Sequence, residues 1–156
     1  MNLGKYSFGI GDRFGRQGKA LLAAVREAKR FGVEVTPVWN KSHREHTIIG
    51  TTPAEVRAEA KDAVSSLMWE GDYFVDADHI TLKNVDLFLE SSDFFTFDVA
   101  DFVGKPAKAE EIDNFIDGCV GYIDGLAVPG IEKSLTVSEG LVRDKACKYL
   151  SAVKQA

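Results

Sequence analysis

Asp76-Ala77-Asp78-His79 brings two carboxylates and an imidazole into four consecutive residues. Such groups suit a divalent ion of the zinc, manganese or nickel kind. In an extended strand alternate residues share a face, so Asp76 and Asp78 lie together. His79 joins them only if the chain turns there. A carboxylate could also orient the imidazole from behind. The bland alternative has Asp78 capping the next helix and His79 on the surface. Upstream stands Asp12-Arg13. The arginine fork grips a carboxylate or phosphate in two places, and Asp12 could hold that fork or bind a sugar hydroxyl. As a plain surface ion pair the two would contribute little. The run Asn40, Lys41, Ser42, His43, Arg44, Glu45, His46 is dense in donors and proton-moving groups, as the lining for a polyhydroxy acid would be. His43 and His46 could share a metal on a helix, but the segment reads as a loop. All three histidines of the chain fall in these segments.

Each group follows a predicted strand. The strands are Tyr6–Ile10, Val33–Val38, Tyr73–Asp76 and Phe94–Phe97, the last ending at Asp98 with Asp101 beyond. Between them lie a helix over Gln17–Phe31 with Leu21, Ala24, Val25 and Ala28 at helical spacing, and a second helix opened by Thr52-Pro53-Ala54-Glu55. Gly32 and Gly71 supply the stops. Pro37 marks a bulge or the end of pairing. A polar loop spans Trp39–Thr51, and a short helix runs over Asn84–Glu90. Ala109–Ile123 reads as a helix, Gly125–Val137 as a loop or short hairpin, and Ser138 caps a last helix with Val142, Ala146, Tyr149 and Val153 inward.

Strands alternating with helices imply parallel pairing. On the first, third and fourth strands one face is apolar, with Tyr6, Phe8 and Ile10 as one such set to pack under helices. The other face turns small or polar toward its C-terminal end. That pattern suits a barrel mouth better than an open sheet covered on both sides. The fold class is α/β, with parallel βα units forming the first half of a TIM-like (β/α)8 barrel. Residues 1–156 make a single partial domain, with four βα units over 1–103 and a mainly helical extension over 104–156. A whole barrel needs about 250 residues. The open sheet edges therefore call for the missing C-terminal half of the barrel, or for a second copy. The glycines at 9, 11 and 15 hint at a dinucleotide loop, but Phe14 stands where its third glycine belongs, and the second strand ends in Trp39-Asn40 with no acidic residue for a ribose.

A net charge of −5 leaves no basic footprint for nucleic acid or anionic lipid. No apolar run is long enough to cross a membrane, and a strand begins almost at once, where a leader would stand. Cys119 and Cys147 show no metal spacing and are expected as buried free thiols, which fits a reducing, cytoplasmic setting.

Ser7-Phe8-Gly9-Ile10-Gly11-Asp12-Arg13, Ser42-His43-Arg44-Glu45 and Asp76-Ala77-Asp78-His79 together resemble the tagaturonate epimerase family. The match runs over residues 6 to about 103 and is looser beyond, though Leu141–Val153 still resembles a family helix. The resemblance implies a metal-dependent bacterial barrel enzyme that inverts C4 of a ketohexuronate in hexuronate catabolism. It implies His79 as a metal ligand, with Asp76 and Asp78 beside it as the catalytic carboxylates. It implies Asp12, Arg13, Ser42 and Arg44 as contacts for the sugar acid, to which the donor-rich run adds Asn40 and His43. Family members carry further ligands and an acid/base pair in the second half, so this chain is expected to be inactive alone. C4 of a 2-ketose is not next to the carbonyl. A route through cleavage of the C3–C4 bond, rotation and re-addition, with a metal polarising the keto group, suits the chemistry. Two readings compete: another metal-dependent sugar-acid aldolase or isomerase, and a non-catalytic sugar- or phosphate-binding module.

Overall fold

The computed structural model describes residues 3–156, in two compact units. The first ends at Asp98 and the second spans Val99–Ala156. In the first unit, strands β1 (Ser7–Gly9), β2 (Thr36–Ser42), β3 (Phe74–Ile80) and β4 (Phe94–Phe97) form one sheet in the order β1-β2-β3-β4. Every pair is parallel. Helices α1 (Gly18–Arg30), α2 (His43–Ile49) and α3 (Pro53–Ser66) fill the first two crossovers. This α/β succession is consistent with the N-terminal half of a TIM-like fold.

The core of the unit lies between the sheet and α1 and α3. Trp39 and Val75 from the strands meet Leu22 and Val25 of α1 and Val56, Ala60 and Ala63 of α3. Trp39 also stands edge-on to Tyr73, with ring centroids 5.9 Å apart. These contacts fix the faces. Trp39 and Val75 point to the helices, so by alternation Asn40 and Asp76 point to the opposite, inner face.

The helix ends follow the sequence signals in part. Gly32 takes φ 79° and closes α1, with the Val33 N–H donating to the Ala28 carbonyl at 3.1 Å. Glu55 accepts from the Thr52 N–H at 2.6 Å and its hydroxyl at 2.9 Å, so α3 opens as expected. It ends earlier than Gly71, because Met68 adopts φ 49° and supplies the left-handed residue.

Other expectations also need correction. First, β2 runs on to Ser42, and 43–49 form α2, so the segment read as a loop is strand followed by helix. The reason is a capping box. The Ser42 hydroxyl accepts from the Glu45 N–H at 3.2 Å, while the Glu45 carboxylate accepts from the Ser42 N–H at 3.0 Å. Pro37 does not end the strand. Thr36 and Val38 bond to the β1 side, so Pro37 faces the other neighbour, where pairing with β3 begins only at Val38. Its missing N–H costs no ladder bond. Second, the helix expected over Asn84–Glu90 is a 3-10 turn, Val85–Leu87, although Phe88 is still driven fully under the sheet beside Ala77 and Ile80. Third, of the face Tyr6, Phe8 and Ile10, only Ile10 is buried, while Phe8 is 62% exposed on a strand paired on one side alone.

The second unit holds its own core. Helices α4 (Ala109–Gly118) and α5 (Glu139–Gln155) pack through Ile112, Ile116, Val142 and Ala146. The Ser138 hydroxyl caps α5 by accepting from the Leu141 N–H at 3.1 Å. Between the helices, Leu126 and Leu135 form an antiparallel bridge. Tyr149 and Val153, expected inward, are exposed, as is Cys147, while Cys119 is half-buried. Among the described residues no helix is long and apolar enough to cross a membrane.

Candidate functional site

The inner face of the sheet gathers four of the sequence-marked side chains. Asn40 and Asp76 are register partners on β2 and β3, and Ser42 pairs with Asp78. The Asn40 amide donates to Asp78 Oδ2 at 3.2 Å. His79 Nδ1 donates to Asp78 Oδ1 at 2.6 Å. The condition set for His79 is met by a bulge. From Ala77 to Ile80 strand β3 advances one residue more than β4, and His79 takes φ 51°. That extra residue turns the imidazole next to Asp78, and its ring side chain stays 66% exposed.

Asp76 lies deeper, 8% exposed. Its Oδ2 accepts from the Thr96 hydroxyl of β4 at 2.8 Å, while Oδ1 has no hydrogen-bond partner. Burial pushes this carboxyl above the usual carboxylate range, opposed by the Thr96 bond and assisted by the neighbouring Asp78 charge. The two carboxylates thus sit in unlike settings, one sealed and one tied to an imidazole. Asn40 Oδ1 is also sealed without a partner. It lies against Gly9 and Gly11, where an added Cβ would come within 3.0 and 2.9 Å of it. The glycines of the first strand make room for Asn40 rather than for a nucleotide phosphate.

The remaining marked residues form a rim with structural duties of its own. Asp12 is 3% exposed. Its carboxylate accepts from the N–H groups of Phe14 at 2.8 Å, Arg16 at 2.5 Å, and Gln17. Burial pushes this group up, but the amides of Gln17, Phe14 and Arg16 outweigh it and hold Asp12 below its usual range. Asp12 therefore ties down the Gly11–Gln17 loop and has little left to offer a ligand. Arg13 stands 82% exposed at the loop tip, 3.4 Å from Glu45 of α2. Ser42 is spent on the α2 cap. His43 and Arg44 lie in the first turn of α2, His43 half-buried and Arg44 exposed. Sequence reasoning missed the capping duty of Glu45 and passed over Thr96 and Glu59. The Ser-x-x-Glu spacing could have revealed the first, whereas Thr96 and Glu59 act across the fold and leave no local signal.

No described set of three or more histidine, cysteine, aspartate or glutamate side chains converges tightly enough to enclose a metal ion. The donors present fit part of such a site: a carboxylate holds Nδ1 of His79, the arrangement that leaves Nε2 for a metal, and Asp76 Oδ1 lacks a partner nearby.

His46 is a separate case. It is buried, with Nδ1 at 2.9 Å from the Thr51 hydroxyl and its ring 5.8 Å from that of Phe88. Burial first, then the Lys41 charge, pushes the imidazole down from 6.5 to about 4. A depressed histidine contributes stability that is full above its unfolded value and is lost as pH falls toward the native one. Urea melts are expected to lose on the order of 2 kcal/mol of His46-linked stability between these values. The readout is the difference from His46→Asn, which cancels the carboxylates that titrate in the same window. Equal pH slopes in the two proteins would contradict the assignment.

The model of the tagaturonate epimerase family matches residues 1–117. Among solved structures, the native fructuronate-tagaturonate epimerase of Cohnella laeviribosi is 22% identical, with a TM-score of 0.69 over 99% of this chain and 34% of that one. The same enzyme with two glycerols is 20% identical, with a TM-score of 0.68 over 99% of this chain and 34% of that one. Its one-glycerol form is 19% identical, at 0.68 over 96% and 32%. The chain spans about a third of the length of these structures, and the likeness to them is one of fold. No curated protein matches the chain in sequence.

Proposed function

This chain belongs to the tagaturonate epimerase family, and from that premise we propose that it forms the first part of a hexuronate C4-epimerase. The whole enzyme would interconvert tagaturonate and fructuronate. The observation that carries the reading is the inner-face constellation of Asn40, Asp76, Asp78 and His79. Glycerol, bound by the solved relative, is a small polyol, and a hydroxyl-bearing ligand suits an inner face rich in acceptors.

The roles divide by environment. Asp76, raised above its usual range by burial, carries a proton to and from a substrate hydroxyl, because an upward shift brings a carboxyl toward the range where it can both give and take one. Asp78 orients His79, whose Nε2 would hold a divalent ion of the zinc, manganese or nickel kind with donors from the rest of the enzyme. When bound, that ion supplies Lewis-acid polarisation of the keto group. Arg13 and Arg44 hold the substrate carboxylate, with Asn40 and His43 on its hydroxyls. Ser42 and Asp12 serve by fixing α2 and the Gly11–Gln17 loop.

Alone, the chain is inactive, since it lacks the donors that complete the site. Its partner is the remaining portion of the barrel, and its setting is the cytoplasm, in keeping with an acidic chain in which no described helix can cross a membrane. The test is reassembly. The chain is co-expressed with the C-terminal two thirds of the Cohnella enzyme, roughly the part it leaves uncovered. Conversion of tagaturonate to fructuronate is followed by NMR with added manganese. Turnover by the pair and by neither piece is expected. A stable assembled pair without turnover would overturn the function, and turnover by this chain alone would overturn its dependence on a partner.

A further inference from the structure

Glu59 of α3 lies outside the mouth, half-buried behind the Gly11–Gln17 loop. Its Oε1 accepts from the N–H of Gly18, the first residue of α1, at 2.8 Å. Asp12 takes the adjacent N–H of Gln17, so the two carboxyls stand side by side at neighbouring amides, and their contact lowers Asp12 and raises Glu59. Two carboxyls can share a hydrogen bond only if one of them keeps a proton. Asp12 already accepts from three backbone amides, which favours its charged form. The proton therefore belongs on Glu59. The packing leaves no slack. A Cβ on Gly18 would fall 2.8 Å from Glu59 Oε1 and 3.1 Å from the partnerless Trp39 Nε1.

We propose that Glu59 is a positioning residue, which shares one proton with Asp12 and thereby fixes the loop that carries Arg13. This rests on the reading of Arg13 as a substrate contact. Burial and the Asp12 contact both push Glu59 above its ordinary range. The charged group facing the pair is Lys41 from β2, which also acts on Glu55 of α3 and on Glu45 and His46 of α2. Lys19 of α1 is already engaged with Asp62 at 2.9 Å. As pH rises through the elevated Glu59 value the shared proton leaves. Two like charges then face each other, and the loop loses its anchor to α3 while the Arg13–Glu45 contact at its tip remains.

The test is hydrogen exchange on the whole chain, read at the Phe14, Arg16 and Gln17 amides from pH 4.5 to 8, with protection corrected for intrinsic rates. The native chain is expected to lose about tenfold in protection over this range as the shared proton leaves. Glu59→Gln keeps both bonds, as its amide donates to Asp12 and its oxygen accepts from Gly18, and its protection stays flat. Glu59→Ala is poorly protected throughout. Should it fail to fold, the native and glutamine arms decide alone. A flat native profile overturns the proposal, as does an equal fall in Glu59→Gln. Full protection in a folded Glu59→Ala overturns it as well. None of these outcomes bears on the reassembly assay, and failure of that assay leaves the exchange result standing.

Discussion

Asp78→Asn in the reassembled enzyme weakens manganese binding by ~10- to 100-fold, the range for a group that orients a metal-bound imidazole. The argument starts from one short contact. The Asp78 carboxylate takes the Nδ1 proton of His79 at 2.6 Å and the amide proton of Asn40 at 3.2 Å. Asparagine keeps the shape but loses the charge, and can turn its own NH2 toward the ring. His79 then loses its fixed tautomer, and Nε2 is no longer reserved as an acceptor. His79→Asn removes the proposed ligand itself and costs more. Asparagine is the right replacement there, because it tolerates the positive φ of His79, whereas alanine would add roughly 1–2 kcal/mol of backbone strain. Calorimetric titration with manganese gives the affinity and the NMR assay gives turnover. Native affinity in His79→Asn would remove this residue from the metal site.

Asp12→Ala lowers the stability of the chain by about 3–4 kcal/mol, judged from the worth of hydrogen bonds to a charged group. Three backbone amides, those of Phe14, Arg16 and Gln17, converge on this one carboxylate. Alanine leaves them with no acceptor inside a nearly closed site and also leaves Glu59 without its partner. Such losses exceed those of ordinary surface substitutions. Urea unfolding near neutral pH is the measurement, and a loss under about 1 kcal/mol would mean that water replaces the carboxylate cheaply. Asp12→Asn should fall between, as it retains an acceptor oxygen without the charge.

The alternation of strand and helix was legible because it rests on local periodicity and on stop signals such as Gly32. β4 was found with its observed ends, Phe94–Phe97. The second strand was misread because Pro37 was weighed as a breaker. Its harmlessness depends on where the β3 pairing starts, and that is a register fact with no local trace. The α2 helix was missed although Ser42 and Glu45 spell its start; a run of seven polar or charged residues masked the box. At the candidate site, Asp76, Asp78, His79 and Asn40 were readable from chemistry and alternation. Their grouping turns on the bulge at His79, which periodicity cannot foresee. Asp12 was marked for a ligand, yet its oxygens face the chain's own amides. A carboxylate after a strand serves both purposes, and only the loop geometry tells them apart.

The edge strand β1 has a practical consequence for handling the protein. It is three residues long, is hydrogen-bonded to one neighbour, and leaves Tyr6 and Phe8 mostly bare. Bare aromatics on an open edge are sticky, and the mutual repulsion that keeps copies dispersed vanishes near the isoelectric point of about 5.2. Concentrated stocks belong in mildly alkaline, low-salt buffer, and slow acidification is the condition under which they turn cloudy.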